Sequence, residues 1–192
     1  MPPLLPTPGA SAALSPSLSP SPQPSAVPAV ATRIVIRSER IDLPVLSRDQ
    51  RVRDQGPDLY PPCDVALYHT AFGQPGLGTT TYLYAHAREG MFLPLLEASE
   101  KRDGASLIGT LVQVYTSDAR IHVYQITRVK RHAVDFSLAD APPGTEQLIL
   151  QTSEGPAGTI PKLQVLAELL DVVETTLDDA TPRARPRACY EH

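Results

Sequence analysis

The chain has 192 residues, 42% of them hydrophobic, which suits one ordinary domain with appendages. Its formal net charge is −4 without long blocks of one sign, and this argues against binding to nucleic acid or to an anionic membrane surface. No run approaches the ~20 consecutive apolar residues that span a bilayer, and the start, MPPLLPTPGA, lacks the charged and apolar regions of a signal peptide.

The first part of the chain, residues 1–31, is dominated by Pro, Ser and Ala, as in SPSLSPSPQPSAVPAV. It has no periodic apolar face whose burial would offset the entropy lost on ordering. We therefore predict a disordered, extended spacer for this segment.

The pattern then changes to short runs rich in β-branched and aromatic residues, separated by Gly, Pro or Asp: RIVIRS, RIDLPVL, TTTYLYAH, TLVQVYT, RIHVYQITRVKRH and TEQLILQT. Many short strands with such punctuation predict an all-β barrel or sandwich. We assign this domain to residues 32–172 and a flexible C-terminal tail to residues 173–192. One stretch between the strands, MFLPLLEASEKRDG, predicts a short helix with Pro94 near its first turn.

The segment PKLQVLAELLDVVETT is ambiguous. A helix would place four apolar residues on one face: Leu163, Leu166, Leu170 and Val173. A strand would instead place Leu163, Val165 and Ala167 on one side by alternation. Periodicity alone leans towards a helix.

The two cysteines, Cys63 and Cys189, are too few for a disulfide framework, and Cys189 falls in the tail that we expect to be mobile. Cys63 is a candidate nucleophile, but its surroundings favour a small packed side chain. The histidines show no metal-ligand spacing, so we expect no metal and no other cofactor. His122 and His132 accompany a strand rich in Arg and Lys, which predicts a solvated face.

Two polar groups capable of covalent chemistry follow predicted strands: His86 in TYLYAHAREG and Ser153 in LILQTSEG. A hydroxyl nucleophile needs a base within hydrogen-bond reach, and residues 67 positions apart can meet if their strands are neighbours. The alternative is that Ser153 only satisfies backbone groups at a strand end.

The order of these stretches resembles the sortase family of cell-surface transpeptidases. The likeness runs from about Arg33 to about Ala167, through RIVIRSERIDLPV, GQPGLGTTTYLYAHAREGMFLPLL, TLVQVYTSDARIHVYQITRV, VDFSLAD and EQLILQTSEGP. It implies an eight-stranded β-barrel with short helices, and it implies that the ambiguous segment, from Lys162 to about Leu169, is the closing strand. In the family, a histidine ends one strand, a cysteine ends a later strand in a Leu-x-Thr-Cys motif, and an arginine lies on the last strand.

The resemblance identifies the candidate site residues. His86 matches the family histidine, Ser153 stands where the family has cysteine, and Lys162 falls near the arginine position. The implied catalytic set is therefore His86, Ser153 and Lys162, with Lys162 offering an oxyanion a point charge without the planar donor fork of arginine. Implied substrate-binding residues are His69, Arg88 and Thr152.

Sortases attack the Thr–Gly bond of an LPXTG-like sorting signal with a cysteine thiolate and pass the acyl group to an amine. The resemblance thus implies recognition of an extended LPXTG-like peptide, with transpeptidase or hydrolase activity through Ser153 and His86. Serine would need His86 as a true general base aligned by a third group, for which Asp64, Asp118 and Asp135 are candidates.

The alternative is a catalytically inactive sortase-fold module that binds a peptide or a partner protein. The partners implied are a surface-protein sorting signal and, for an active enzyme, an amine acceptor. The implied location is extracytoplasmic or at the cell surface.

Overall fold

The barrel is built from eight strands. The computed structural model describes residues 28–46, 62–155 and 161–189, so the predicted spacer lies outside the described residues except for its last four. Within these ranges the strands are β1 Ala31–Ile36, β2 Ile41–Leu46, β3 Ala66–Tyr68, β4 Thr80–Tyr84, β5 Leu111–Thr116, β6 Arg120–Ala133, β7 Gln147–Ser153 and β8 Lys162–Glu174. They close into one barrel, which confirms the predicted all-β, eight-stranded fold.

Around the barrel the strands follow the order β1-β2-β3-β4-β7-β8-β6-β5. Two neighbouring pairs, β2 with β3 and β4 with β7, are parallel, and the other pairs are antiparallel. Parallel neighbours have their carboxyl ends at the same edge of the sheet. The end of β4, just before His86, therefore lies beside the end of β7 at Ser153.

Short helices connect and flank the strands: α1 Leu93–Glu100, α2 Leu177–Ala180, and single 3₁₀ turns at Arg102–Gly104 and Ser137–Ala139. The helix predicted from MFLPLLEASEKRDG is α1. Pro94 lies in its first turn, where a missing N–H removes no intrahelical hydrogen bond, and Leu95 is buried in the barrel core. None of the helices in the described ranges is long and apolar enough to cross a membrane.

Two apolar clusters cover opposite faces of the same strands. The larger cluster fills the barrel and includes Leu83, Leu150 and Val165. Because side chains alternate along a strand, the neighbours of these residues point outward. A second cluster forms there from Tyr82, Leu138, Ala139, Ile149 and Leu166, with Phe72 packed against it. We call this surface the outer face of β4, β7 and β8.

The ambiguous segment is the strand β8, as the resemblance implied, and the helix favoured by periodicity is wrong. Leu163 and Val165 point into the barrel, while Leu166 is buried in the outer cluster. Burial on both faces removes the alternation that normally marks a strand. The two remaining residues of the apparent helix face, Leu170 and Val173, are 56% and 39% exposed.

His122 does not lie on a solvated face, contrary to our prediction. It is 4% exposed, and its Nδ1 is 3.0 Å from Oε1 of Glu146. The same carboxylate accepts hydrogen bonds from the Tyr124 hydroxyl at 3.0 Å and from the backbone N–H of Gly76 at 3.0 Å. Burial of this histidine is possible because the carboxylate supplies its polar partner. His132, in contrast, is exposed as predicted.

Cys63 and Cys189 form a disulfide, with their Cα atoms 5.1 Å apart. The expectation of a mobile Cys189 is wrong, and Cys63 has no free thiol to act as a substitute nucleophile. Cys63 also exchanges backbone hydrogen bonds with Arg187, whose guanidinium pairs with the carboxylate of Asp64. The segment from Arg187 to Cys189 is thus fastened to the barrel just before β3.

We expect Gly104→Ala to lower the free energy of unfolding by about 1–3 kcal/mol, measured by urea denaturation. Gly104 has φ +76°, and an added Cβ would lie 2.7 Å from Cγ1 of Val129 on β6. The matched control is Gly109→Ala, because Gly109 has φ +87° but no atom within 4 Å of an added Cβ. If Gly104→Ala loses no more stability than Gly109→Ala, the contact with Val129 does not contribute to the loss.

Candidate functional site

The edge where β4 and β7 end brings together the segments that hold His86 and Ser153. Paired residues of the two strands differ by 67 positions, from Thr80 with Gln147 to Tyr84 with Gln151. The pairing continues past Tyr84, because Ala85 donates its N–H to the Gln151 carbonyl at 3.2 Å. The next positions in this register are 85 with 152 and 86 with 153, so His86 and Ser153 occupy adjacent strand ends.

Thr152 supports this edge from inside the barrel. Its side chain is buried, and its hydroxyl donates to the carbonyl of Ala85 at 2.9 Å. This contact ties the residue before His86 to the residue before Ser153. Thr152, predicted to bind substrate, therefore has a clear structural role at the junction of the two strands.

The backbone of His86 is fixed from its other side by the start of α1. Its carbonyl accepts a hydrogen bond from the N–H of Phe92 at 3.0 Å, and the Arg88 carbonyl accepts from Met91 at 2.9 Å. Both Met91 and Phe92 are buried in the barrel core. Apolar packing at the start of α1 thus helps to hold the loop that carries the half-buried His86.

Ser153 and Lys162 contact each other directly. They are cross-strand partners at the end of β7 and the start of β8, and Lys162 Nζ lies 2.8 Å from Ser153 Oγ. Both residues are half-buried. Partial burial of the ammonium group lowers the pKa of Lys162 below its ordinary value. The pair therefore combines a hydroxyl with an amine whose charged form is disfavoured by its surroundings.

Below this pair, a polar network crosses the outer face of β4, β7 and β8. The Tyr82 hydroxyl donates to Oε1 of Gln151 at 2.6 Å, and Gln164 Nε2 donates to the Tyr82 oxygen at 3.2 Å and to the Asp135 carbonyl at 2.7 Å. Burial raises the pKa of Tyr82, so this hydroxyl keeps its proton. We did not predict roles for Tyr82 or Gln164, although a polar amide within the apolar run KLQVLAEL was a usable signal.

An aromatic cluster continues this face beyond the polar network. The ring of His69 lies 5.2 Å from Phe72, 5.7 Å from Tyr82, 6.2 Å from Tyr84 and 5.5 Å from Phe136, measured between centroids. Phe136, in the connection between β6 and β7, is 48% exposed. His69 was predicted to bind substrate, and the structure puts it among apolar rings on the same face as Ser153.

Arg88 lies close to the disulfide. Its Nη1 donates to the Cys189 carbonyl at 2.7 Å and is 3.4 Å from the Cys63 sulfur. This predicted substrate-binding residue is therefore engaged with the C-terminal segment, two positions after His86.

Glu154, which our sequence analysis did not single out, anchors the end of β7. Its side chain is only 4% exposed and pairs with Arg131 Nε at 3.3 Å and His132 Nδ1 at 2.8 Å. It also accepts a hydrogen bond from the His132 N–H at 2.9 Å. These contacts with the end of β6 hold the residue next to Ser153 in place.

The three aspartates considered as orienting groups for His86 have other partners. Asp64 pairs with Arg187, Asp118 accepts from the Thr116 hydroxyl at 2.5 Å, and Asp135 pairs with Lys130 at 2.9 Å. In the ranges that the structure describes, no group of three or more His, Cys, Asp or Glu side chains could hold a metal ion.

A cavity of about 510 Å³ opens at the far end of the same face, beside Phe72 and Thr80. The connection before β7 also lines it, including Ala139 and Pro142. Since Thr80 begins β4, this cavity lies at the other end of the strand from His86.

Comparison with solved structures shows the sortase fold. Sortase C1 of Streptococcus agalactiae, in complex with MTSET, has 16% identity and a TM-score of 0.56 over 76% of this chain and 69% of that chain. Sortase C of Streptococcus pneumoniae has 16% identity and a TM-score of 0.55 over 73% of this chain and 68% of that chain. Sortase A of Listeria monocytogenes has 18% identity and a TM-score of 0.55 over 78% of this chain and 94% of that chain. Neither a protein-family model nor a curated protein matches the sequence.

Proposed function

We propose that this protein recognises an extended LPXTG-like peptide sorting signal and acts on it by acyl transfer or hydrolysis at Ser153. The observation that carries the proposal is the 2.8 Å contact between Lys162 Nζ and Ser153 Oγ, at the edge where His86 follows the parallel neighbour strand. A nucleophile beside a nitrogen base is the arrangement that serine chemistry requires.

The outer face of β4, β7 and β8 supports binding of an extended peptide. It offers the exposed ring of Phe136 and the ring of His69 for apolar side chains, and the half-buried amide of Gln151 for a polar contact. A mostly apolar groove with a few well-placed polar groups is typical of peptide and ligand sites. In this proposal His69, Arg88 and Thr152 border or support the groove.

In the proposed reaction, Ser153 Oγ attacks the peptide carbonyl and forms an acyl ester as the leaving amine departs. His86 contributes acid and base catalysis, and the positive charge on Lys162 stabilises the negative oxygen that develops. An amine acceptor then takes the acyl group, or water hydrolyses the ester.

The proposed partner is the sorting signal of a surface protein, and the proposed location is extracytoplasmic or at the cell surface. The disulfide between Cys63 and Cys189 supports this location, because disulfides persist mainly in oxidising compartments. The fold similarity to sortases supports the choice of substrate class.

The alternative function is peptide binding without turnover, and one observation favours it. A protonated Lys162 donates its hydrogen bond to Ser153 Oγ, so that the serine oxygen receives a proton donor and not a base. If the lysine stays protonated in the complex and His86 does not take the Ser153 proton, the groove binds its peptide but Ser153 remains unreactive.

We expect wild-type protein to turn over one or more members of an LPXTG-like peptide library in the presence of an amine acceptor, and we expect Ser153→Ala to abolish that turnover. The matched control is Ser38→Ala, since Ser38 is exposed in the turn between β1 and β2. Mass spectrometry detects the product and an acyl ester on Ser153, while fluorescence anisotropy measures peptide binding separately.

The outcomes separate the two functions. Peptide binding that persists in Ser153→Ala, with turnover appearing only in Ser153→Cys, supports the binding module. Absence of both binding and turnover across the library contradicts the proposed substrate class.

A further inference from the structure

Lys162 is positioned to do more than stabilise charge. Its Nζ is 2.8 Å from Ser153 Oγ, which is within the range for direct proton transfer between a serine and its base. The cross-strand pairing of Ser153 with Lys162 fixes this contact through the backbone of β7 and β8. An arginine could not act as a base at this position, because its guanidinium stays protonated in proteins, whereas a lysine amine can lose its proton.

We infer that Lys162 is the general base for Ser153, so that the two residues form a serine–lysine catalytic dyad, with Lys162 Nζ taking the proton of the Ser153 hydroxyl. This inference deepens the proposed function and rests on it for the identity of the substrate. Serine–lysine pairs are an established variant of serine catalysis on several unrelated folds.

The proposed reaction needs no proton donor or acceptor other than the dyad, the substrate and the attacking water or amine. The neutral amine of Lys162 takes the hydroxyl proton as Oγ bonds to the carbonyl carbon, and the resulting ammonium lies beside the negative oxygen. Collapse of this intermediate breaks the carbon–nitrogen bond, and the proton passes from Lys162 to the departing amine. In the second half, water or the acceptor amine attacks the ester and gives a proton to Lys162. Lys162 then returns this proton to the departing Ser153 oxygen.

The surroundings make Lys162 easier to deprotonate than a lysine in water, as this role needs. Burial lowers the pKa of Lys162. The carboxylates on adjoining elements are engaged elsewhere: Glu154 with Arg131 and His132, and Asp135 with Lys130. The basic residues Lys130, Arg131 and His132 lie on the neighbouring strand β6, and His86 lies on the segment after β4.

The test uses a fluorophosphonate probe on the full chain. The serine oxygen, once it loses its proton, bonds to the phosphorus of the probe and displaces fluoride. Fluoride leaves without needing a proton donor. The labelling rate therefore reports the general base and not the general acid. We expect the wild type to be labelled at Ser153, with a rate that rises with pH as Lys162 loses its proton. Lys162→Arg and Lys162→Met are each expected to reduce the labelling rate by about 10²- to 10⁴-fold, the usual contribution of a general base.

Two controls separate loss of the base from general damage to the protein. Lys101→Met replaces an exposed lysine after α1 and is expected to label at the wild-type rate. Thermal unfolding of each variant shows that it is folded, and Lys162→Arg retains the positive charge, so its failure would isolate the loss of basicity. Labelling of Lys162→Arg at the wild-type rate, or no labelling of Ser153 at any pH, overturns the dyad. The dyad is equally overturned if His86→Gln abolishes labelling while Lys162→Met does not.

The proposed function and the dyad can fail separately. Labelling of Ser153 that depends on Lys162, without turnover of any peptide in the library, retains the dyad and rejects the LPXTG-like substrate. Peptide turnover that survives in Lys162→Met retains the function and rejects the dyad.

Discussion

Replacing both Cys63 and Cys189 with serine is expected to lower the free energy of unfolding by about 2–5 kcal/mol. The two cysteines are 126 positions apart, so their disulfide closes a loop that contains most of the barrel and strongly restricts the unfolded chain. Urea denaturation of the double variant against the wild type measures the loss.

Reducing agent provides the matched control for this prediction. Dithiothreitol should destabilise the wild type by a similar amount and leave the double variant unchanged. Equal unfolding midpoints for the oxidised wild type and the double variant would show that the disulfide contributes no net stability. The carbonyl of Cys189 accepts a hydrogen bond from Arg88 Nη1. Loss of the disulfide therefore also removes a restraint on this contact.

Glu146→Ala is expected to destabilise the protein by about 3–5 kcal/mol, because each buried group left without its hydrogen-bond partner costs about 1–3 kcal/mol. The carboxylate accepts hydrogen bonds from Tyr124 and from the Gly76 N–H and pairs with His122. Its removal leaves the buried His122 ring and Tyr124 hydroxyl without their acceptor. Chemical denaturation measures the effect, and Glu97→Ala on the exposed face of α1 should change stability by less than about 0.5 kcal/mol.

The same carboxylate predicts a dependence of stability on pH. Desolvation raises the pKa of Glu146, but hydrogen bonds from His122, Gly76 and Tyr124 outweigh it, and the net pKa lies below its ordinary value of 4.5. A lowered native-state pKa stabilises the fold above the ordinary value, and this contribution is lost as the pH falls through the native-state pKa. Glu146→Gln should therefore reduce the acid sensitivity of the unfolding midpoint. An unchanged acid profile would contradict this role.

The candidate site was only partly accessible from the sequence. The motifs YAHAREG and LILQTSEG mark two strand ends, because apolar and β-branched runs stop there. That the two ends share an edge depends on parallel pairing of β4 with β7, which involves residues 67 positions apart. The contact of Lys162 with Ser153 and the ion pairs of Glu154 with β6 likewise join residues from different strands.

The sequence by itself determined the short strands, the helix that begins near Pro94 and the location of the candidate serine and histidine after strand runs. These features follow from local alternation, β-branched content and the fixed geometry of proline, which act between neighbours in the chain. Only the tertiary structure decided that β8 is buried on both faces, that His122 meets a buried carboxylate, that Cys63 bonds to Cys189 and that Lys162 touches Ser153. Each of these joins residues that lie far apart in the sequence, and no local pattern connects their side chains.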